Sequence, residues 1–400
     1  MKKTEIVITG MGMVSAIGLS VSENLNNLLA QKSGIAPIQF LETVHKDVFL
    51  LGEVKLSNAQ LYHRLNISTS QHKLHTRTSL LALMAAKETV ENAGFVLGEW
   101  ENQKVGLISA TTVGGMDKTE SNYAERNFAS GFLQTHPSGD STDVVANHLK
   151  INDYRATVST ACSSAANAMM HGARLIQQGI LDVAVVGGVD PLSRFTLNGF
   201  NSLMILDREW CKPFDQNRNG LNLGEGTGFL VIESASSAQK RGATVLCKLA
   251  GYANANDAYH QTASSPDGEG ATTSMLKALE MSGLSIADID YINVHGTGTN
   301  NNDLSEGVAL KRVFGESLPP FSSTKSYTGH TLGASAAIEA VFSILALEHG
   351  VVFPNLNFST TIEDLGISPV SQLMTGQKVN NVLSNSFGFG GNNSTLIFSK

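Results

Sequence analysis

Short β-branched and aliphatic runs recur along the chain and alternate with stretches of helical periodicity. Glu5 to Thr9, Val105 to Ser109, Ala156 to Thr160, Asp182 to Val186, Phe229 to Glu233, Tyr291 to Val294 and Ser394 to Phe398 read as strands. Their apolar positions are consecutive rather than alternate, the mark of strands buried on both faces in a layered α/β protein. Ser22 is placed to cap a segment carrying Leu25, Leu28 and Leu29 before Gly34, and Ser79 to Ala93 forms a second helix ending at Gly94. Two longer helices follow Cys162, up to Gln178 before Gly179, and Gly333, up to His349 before Gly350. Each comes after a short strand and a tight turn. That shared order suggests an internal duplication with halves meeting near residues 235 to 250, although no repeated sequence proves it.

The 400 residues are 42% hydrophobic and only 16% charged, with a net charge of -7. No basic field for nucleic acid and no polybasic membrane patch follows from that balance. In the opening MKKTEIVITGMGMV, Glu5, Gly10 and Gly12 interrupt the apolar run. It reads as a buried strand ending in a glycine turn, not as a signal peptide or a membrane-inserting segment. Three cysteines, an odd number, argue against a disulfide framework and for a reducing, cytoplasmic setting. Cys247 sits in the apolar run ATVLCKLA as a small hydrophobe, and Cys211 lies in a loop before Lys212 and Pro213.

Cys162 stands between a β-branched strand and a helix of small residues, in ATVSTACSSAANAMM. At a helix N-terminus the unpaired N–H groups and the helix dipole favour thiolate over thiol. A lone cysteine at such a place is as readily structural as catalytic, so it needs partners. His295, in YINVHGTGTNNND, and His330, in STKSYTGHTLGASAAIEA, stand at glycine-flanked strand ends. The other nine histidines read as surface or core residues, and no second ligand at metal spacing accompanies these two, so no metal is expected. Lys325 and Glu339 can pair beside the site, and Asp303 and Glu306 can brace the His295 loop.

Glycine-dense turns occur at SATTVGGMD, CKPFDQNRNGLNLGEGTG and SNSFGFGGNNS. None has the spacing of a phosphate loop or a dinucleotide fingerprint, so a nucleotide cofactor is disfavoured. FGFGG can present backbone N–H groups to an oxyanion, with Phe387 and Phe389 as apolar walls.

TACSS, HGTGT, KSYTGHTLGASAAIE and NSFGFGG resemble, in order, the signature segments of the elongating β-ketoacyl-acyl-carrier-protein synthases. VITGMGMVSAIG and KPFDQNRNGLNLGEGTG extend the resemblance over nearly the whole chain. It implies a thiolase-like five-layer α-β-α-β-α fold of two pseudo-duplicated halves, residues 1–240 carrying the cysteine and 241–400 both histidines. It implies that Cys162 takes an acyl group from the phosphopantetheine of an acyl carrier protein, with no bound cofactor. His295 and His330 would bind and decarboxylate the malonyl carrier protein, and the carbanion would attack the Cys162 thioester. Backbone N–H groups of Cys162 and Phe389 would hold the oxyanion, and Phe389 would gate the site. Lys325, Glu339, Asp303 and Glu306 would support it, and Val113, Phe200 and Phe387 would line the acyl pocket. A homodimer, or a heterodimer with a related ketosynthase subunit, is implied.

A thiolase would need a second cysteine near FGFGGNN, and the initiating synthases carry Asn where His330 stands. HGTGT is followed by Asn300 to Asn302 where many members have a proline and a glycine. Fatty-acid, polyene and polyketide elongation all stay open. A non-catalytic chain-length subunit of the same fold is the alternative, and a plain thioester hydrolase a weaker third. Acidic carrier proteins call for basic residues near the channel mouth, with Lys73, Arg77, Arg126 and Arg208 as candidates.

Overall fold

The computed structural model describes residues 4–100, 102–126 and 132–400. Among them ten strands form the main sheet system: β1 (Ile6–Val14), β2 (Val105–Ala110), β3 (Tyr154–Val158), β4 (Val183–Asp190), β5 (Gly226–Ser234), β6 (Cys247–Asn256), β7 (Tyr291–Asn293), β8 (Phe321–Ser322), β9 (Asn381–Gly388) and β10 (Asn392–Ser399). Six helices recur in matching places: α1 (Arg77–Asn92), α2 (Gly139–His148), α3 (Ser164–Gln177), α4 (Glu269–Ser282), α5 (Asn300–Phe314) and α6 (Ser335–His349).

The spatial order is β3-β2-β4-β5-β1 in one half and β8-β7-β9-β10-β6 in the other. In each the first three strands pair in parallel and the last two antiparallel. Shifting every strand number by five turns one half into the other, so the duplication read from element order is present in the topology. The halves join where β1 meets β6, at Val7–Lys248 and Ile8–Cys247.

Three apolar clusters separate five layers. Leu80 of α1 and Val145 of α2 pack with Leu107 and Val185 on the outer face of the first half. Met275 of α4 and Leu310 of α5 pack with Ile292 and Leu383 on the outer face of the second. Between them α3 and α6 share one core with Ile108, Val186, Leu396 and Phe398. Odd positions of β2 thus face one cluster and even positions the next, as the two-residue strand period requires. The segment Leu332–His349 is long and apolar enough to cross a membrane, but it is mostly buried inside the protein, as befits the central helix of a five-layer core.

Close approach decides two glycines. A Cβ on Gly12 would stand 2.3 Å from the Ala85 carbonyl oxygen of α1, and one on Gly10 would stand 2.5 Å from Ala93. The VITGMGMV strand therefore carries glycine where α1 crosses it, not to make a turn, and β1 runs on to Val14. Helix ends also shift slightly. Thr76 caps α1 by accepting the Ser79 N–H, and Ser20, rather than Ser22, caps the helix Val21–Leu29.

Candidate active site

Each chemical side chain sits at a turn that follows a strand of the main sheet. Cys162 follows β3 and precedes α3, His295 follows β7, and His330 follows β8 and precedes α6. All three are buried, with 7%, 2% and 2% of their surface exposed. Ala161 holds a φ of +52°, a conformation that non-glycine residues rarely adopt and that marks a tightly determined turn. Opposite it, a Cβ on Gly388 would come within 2.9 Å of the Cys162 nitrogen, so only glycine lets the FGFGG turn close on the nucleophile.

His330 Nε2 lies 3.1 Å from Cys162 Sγ. On the far side of the ring, Nδ1 accepts the Leu332 N–H at 3.3 Å and lies 2.9 Å from Ser335 Oγ. A backbone N–H can only donate, so Nδ1 is unprotonated and Nε2 carries the hydrogen. The same logic fixes His295. Lys325 Nζ donates to its Nδ1 at 3.2 Å and to its carbonyl oxygen at 2.6 Å, leaving the hydrogen on Nε2. Two Nε2–H donors, on rings 5.3 Å apart and nearly perpendicular, thus converge beside one sulfur.

Lys325 also pairs with Glu339, whose other oxygen accepts from Ser386 Oγ at 3.4 Å. Asp303 accepts the Thr297 N–H at 3.0 Å and the Phe214 N–H at 2.7 Å. Glu306 accepts the His295 N–H at 2.9 Å and the Gly296 N–H at 2.8 Å. These carboxylates hold backbone rather than face the cavity. Burial, then the Lys325 charge and the repulsion a protonated His330 would add, puts His295 well below the usual imidazole range, and burial with Lys325 does the same to His330. Both rings are neutral donors.

Burial also pushes the Cys162 thiol up to about 12, against the pull of Lys325 and of the Phe389 N–H that donates to its sulfur. Desolvation thus opposes the thiolate that the end of α3 favours. Cys162 Sγ and a ring nitrogen of each histidine lie within 4.8 Å of one another, a spacing that could hold a metal. Both Nε2 atoms carry protons and Lys325 stands behind His295, so the set is built to donate hydrogen bonds.

Cys162 lies where two cavities meet. One, about 260 Å³, is lined by His295, His330, Phe387, Thr297 and Asn300. The other, about 400 Å³ and mostly apolar, is lined by Val113, Met116, Phe195, Gly199 and Leu332. Phe200 and Phe389 line both and stack at 5.8 Å, a partition between the two spaces. Val113 and Phe200 line the apolar cavity. Phe387 does not: its ring lies 6.0 Å from that of His295, on the histidine side, because β9 runs past β7 rather than past β2. Arg77 is no docking residue, since its guanidinium is buried against Glu225 at 2.5 Å. Lys73, Arg126 and Arg208 are exposed.

Sequence reasoning missed Asp190, Ser335 and Ser386. The signal for Asp190 was present, a carboxylate closing the otherwise apolar run VAVVGGVD. Ser335 and Ser386 carry no sequence signal apart from the turns they adjoin.

The family model described as Beta-ketoacyl synthase, N-terminal domain, matches residues 3–238, and the one described as Beta-ketoacyl synthase, C-terminal domain, matches residues 246–359. A 3-oxoacyl-[acyl-carrier-protein] synthase 2 of Staphylococcus aureus (strain COL) is 33% identical over 409 aligned residues, covering 99% of this chain and 98% of the relative. The protein of the same name from Coxiella burnetii is 32% identical over 415, covering 100% and 99%. Among solved structures, the ishigamide ketosynthase/chain length factor superposes with a TM-score of 0.92 at 31% identity, covering 100% of this chain and 99% of that one. A ketosynthase from Xenorhabdus doucetiae, solved in complex with its chain length factor, gives 0.84 at 30% identity, with 99% and 98% covered.

Proposed function

The chain belongs to the β-ketoacyl synthase family and is an acyl-transferring condensing enzyme, and on that premise we propose how its own residues lengthen an acyl chain by two carbons. The observation that carries the reading is the pair of Nε2–H donors converging on a cysteine at the junction of a histidine-lined cavity and a more apolar one. In the first step Cys162 attacks an acyl thioester on the phosphopantetheine arm of an acyl carrier protein. A C–S bond to Cys162 forms, the bond to pantetheine breaks, and the thiol proton ends on the departing pantetheine sulfur. The acyl tail lies in the apolar cavity along Val113 and Phe200, and the carbonyl oxygen faces the Cys162 and Phe389 N–H groups. No bound cofactor takes part.

The malonyl thioester on the arm of its carrier protein then enters by the histidine-lined cavity. As its carboxylate leaves as carbon dioxide, enolate charge grows on the thioester oxygen, where the His295 and His330 Nε2–H groups meet it. The carbanion attacks the acyl carbonyl, a carbon–carbon bond forms, and the Cys162 C–S bond breaks. The freed thiolate takes one proton from solvent, which balances the proton-free loss of carbon dioxide. Neutral imidazoles suit this role because they donate without trapping the enolate as a strong acid would. Lys325 with Glu339, and Asp303 with Glu306, hold the donors in place.

The partners are an acidic carrier protein, met by exposed basic residues such as Lys73 and Arg208, and a second ketosynthase-fold chain, a copy or a related subunit. The solved relative paired with a chain length factor supports the latter arrangement. All three cysteines are free, in keeping with a reducing cytoplasm. A non-catalytic chain-length subunit would have no use for the Cys162, His295 and His330 cluster.

The test is incubation of the protein with malonyl carrier protein and a panel of acyl carrier proteins. Acyl-enzyme mass and carbon dioxide are followed beside Cys162→Ala. An adduct on Cys162 and a product two carbons longer are expected. No loading and no condensation with any primer, even with candidate partner subunits added, would sink the reading.

A further inference from the structure

Asp190 closes β4 with none of its surface exposed, and among the described residues no cationic side chain pairs with it. An isolated buried carboxylate is expensive to keep, so it must be satisfied by hydrogen bonds. Asp190 is. Oδ1 accepts Thr111 Oγ1 at 2.6 Å, the Thr112 N–H at 2.8 Å and the Val113 N–H at 3.1 Å. Oδ2 accepts Thr112 Oγ1 at 2.6 Å and the Gly333 N–H at 2.7 Å. One oxygen thus holds the loop after β2, and the other reaches the turn between His330 and α6.

Both ends matter chemically. Thr112 and Val113 line the apolar cavity, and so does Leu332 on the other side. Leu332 sits at a φ of +51°, unfavourable for a leucine, and its N–H is the donor that leaves His330 Nδ1 unprotonated. A strained residue keeps such a conformation only where its surroundings impose it, and the neighbouring Gly333 N–H is anchored on Asp190. We propose that Asp190 is a positioning residue for His330: it fixes the Leu332–Gly333 turn that sets the His330 tautomer, and it ties that turn to the wall of the acyl cavity.

The proposal rests on the condensing reading above. Loading of Cys162 uses the backbone N–H pair and depends little on the tautomer. Decarboxylation needs the His330 Nε2–H directed at the enolate oxygen. Asp190 therefore separates the two half-reactions.

Asp190→Asn is a selective probe. Its single carbonyl oxygen is best placed where three donors converge, on the Thr111–Val113 loop, which turns the amide hydrogens toward the Gly333 N–H and breaks that contact. Gly333→Ala attacks the same contact from the other side, because its Cβ would stand 2.8 Å from Asp190 Oδ2. Thr111→Val removes bonds on the loop side alone, the one Thr111 Oγ1 donates to Asp190 and those it accepts from the Val113 N–H at 3.3 Å and the Gly114 N–H at 3.1 Å.

Wild type and the three variants are compared for acyl-enzyme formation by intact mass and for carbon dioxide release from malonyl carrier protein. Asp190→Asn and Gly333→Ala are expected to lower carbon dioxide release roughly tenfold to a hundredfold, as small misplacements of catalytic groups do, with loading within about threefold of wild type. Thr111→Val should leave the ratio of the two rates unchanged. If Asp190→Asn does not fold, Gly333→Ala decides. Equal losses in both half-reactions, no loss in either, or the same ratio shift in Thr111→Val would overturn the assignment while wild-type turnover leaves the condensing reading intact. Failure of wild type to load or release carbon dioxide would remove both.

Discussion

Lys325 and Glu339 offer a perturbation in which stability and chemistry separate. The two are 2% exposed at each residue and pair with each other while Lys325 also donates to His295 Nδ1 and carbonyl oxygen. Lys325→Met strands the Glu339 carboxylate with only the Ser386 hydroxyl, and Glu339→Gln leaves the buried ammonium with neutral acceptors alone. Breaking a buried pair from one side costs about 3–5 kcal/mol. With an unfolding entropy of roughly 2.1 cal/mol/K per residue over 400 residues, each kcal/mol shifts the thermal midpoint by about 1.2 °C. Each single variant should therefore melt about 4–6 °C below wild type. The double variant, with no stranded charge, should return to within about 2 °C, since well-packed replacements of a buried pair are often neutral. Carbon dioxide release should not return with it. His295 loses the donor that directs its Nε2–H, and losing one preorganised donor lowers turnover by about 10²–10³-fold. Scanning calorimetry with the decarboxylation assay decides. A double variant that regains both stability and turnover would refute the role given to Lys325.

Three further outcomes follow from the same geometry. His295 and His330 sit well below the ordinary imidazole range in the fold, so below about pH 6.5 the unfolded chain binds protons that the fold excludes. Stability fully present above that pH should fall on acidification by up to about 1.4 kcal/mol per pH unit for each ring; urea titrations at pH 7.5, 6 and 5 should show a shallower loss for His295→Asn/His330→Asn, and equal slopes would contradict it. With the Cys162 thiol pushed up to about 12, iodoacetamide labelling of the empty enzyme should climb about tenfold per pH unit between roughly pH 7 and 9, whereas a plateau at neutral pH would show a resting thiolate. Gly199 lies inside the helix Arg194–Ser202, lines the apolar cavity, and has nothing within 4 Å of a built Cβ. Gly199→Leu should raise stability by about 0.5–1 kcal/mol through helix propensity and reduce loading of longer acyl groups by about fourfold for each methylene excluded; an unchanged acyl-length profile would place the acyl tail elsewhere.

The sequence alone located Cys162, His295 and His330, because reactive groups at strand ends are flanked by glycines and small residues that leave a local trace. It also showed the strands that are apolar throughout, and the strand–turn–helix order behind the duplication. It did not reveal β6 or β9, and it left β8, the strand before His330, without bounds. β8 has two residues, and β9 carries the buried polar Ser384, Asn385 and Ser386, which erase the apolar run; Asn385 and Ser386 bond to the Glu306 and Glu339 carboxylates. Tertiary structure decided what depends on contacts between distant segments. It brought His330 within 3.1 Å of a sulfur 168 residues away. It fixed both tautomers through single donors, turned Phe387 toward His295, and buried the thiol so that desolvation works against the helix terminus. Local patterns record what a residue's neighbours in the chain require; protonation, orientation and cavity walls are set by atoms that only folding makes neighbours.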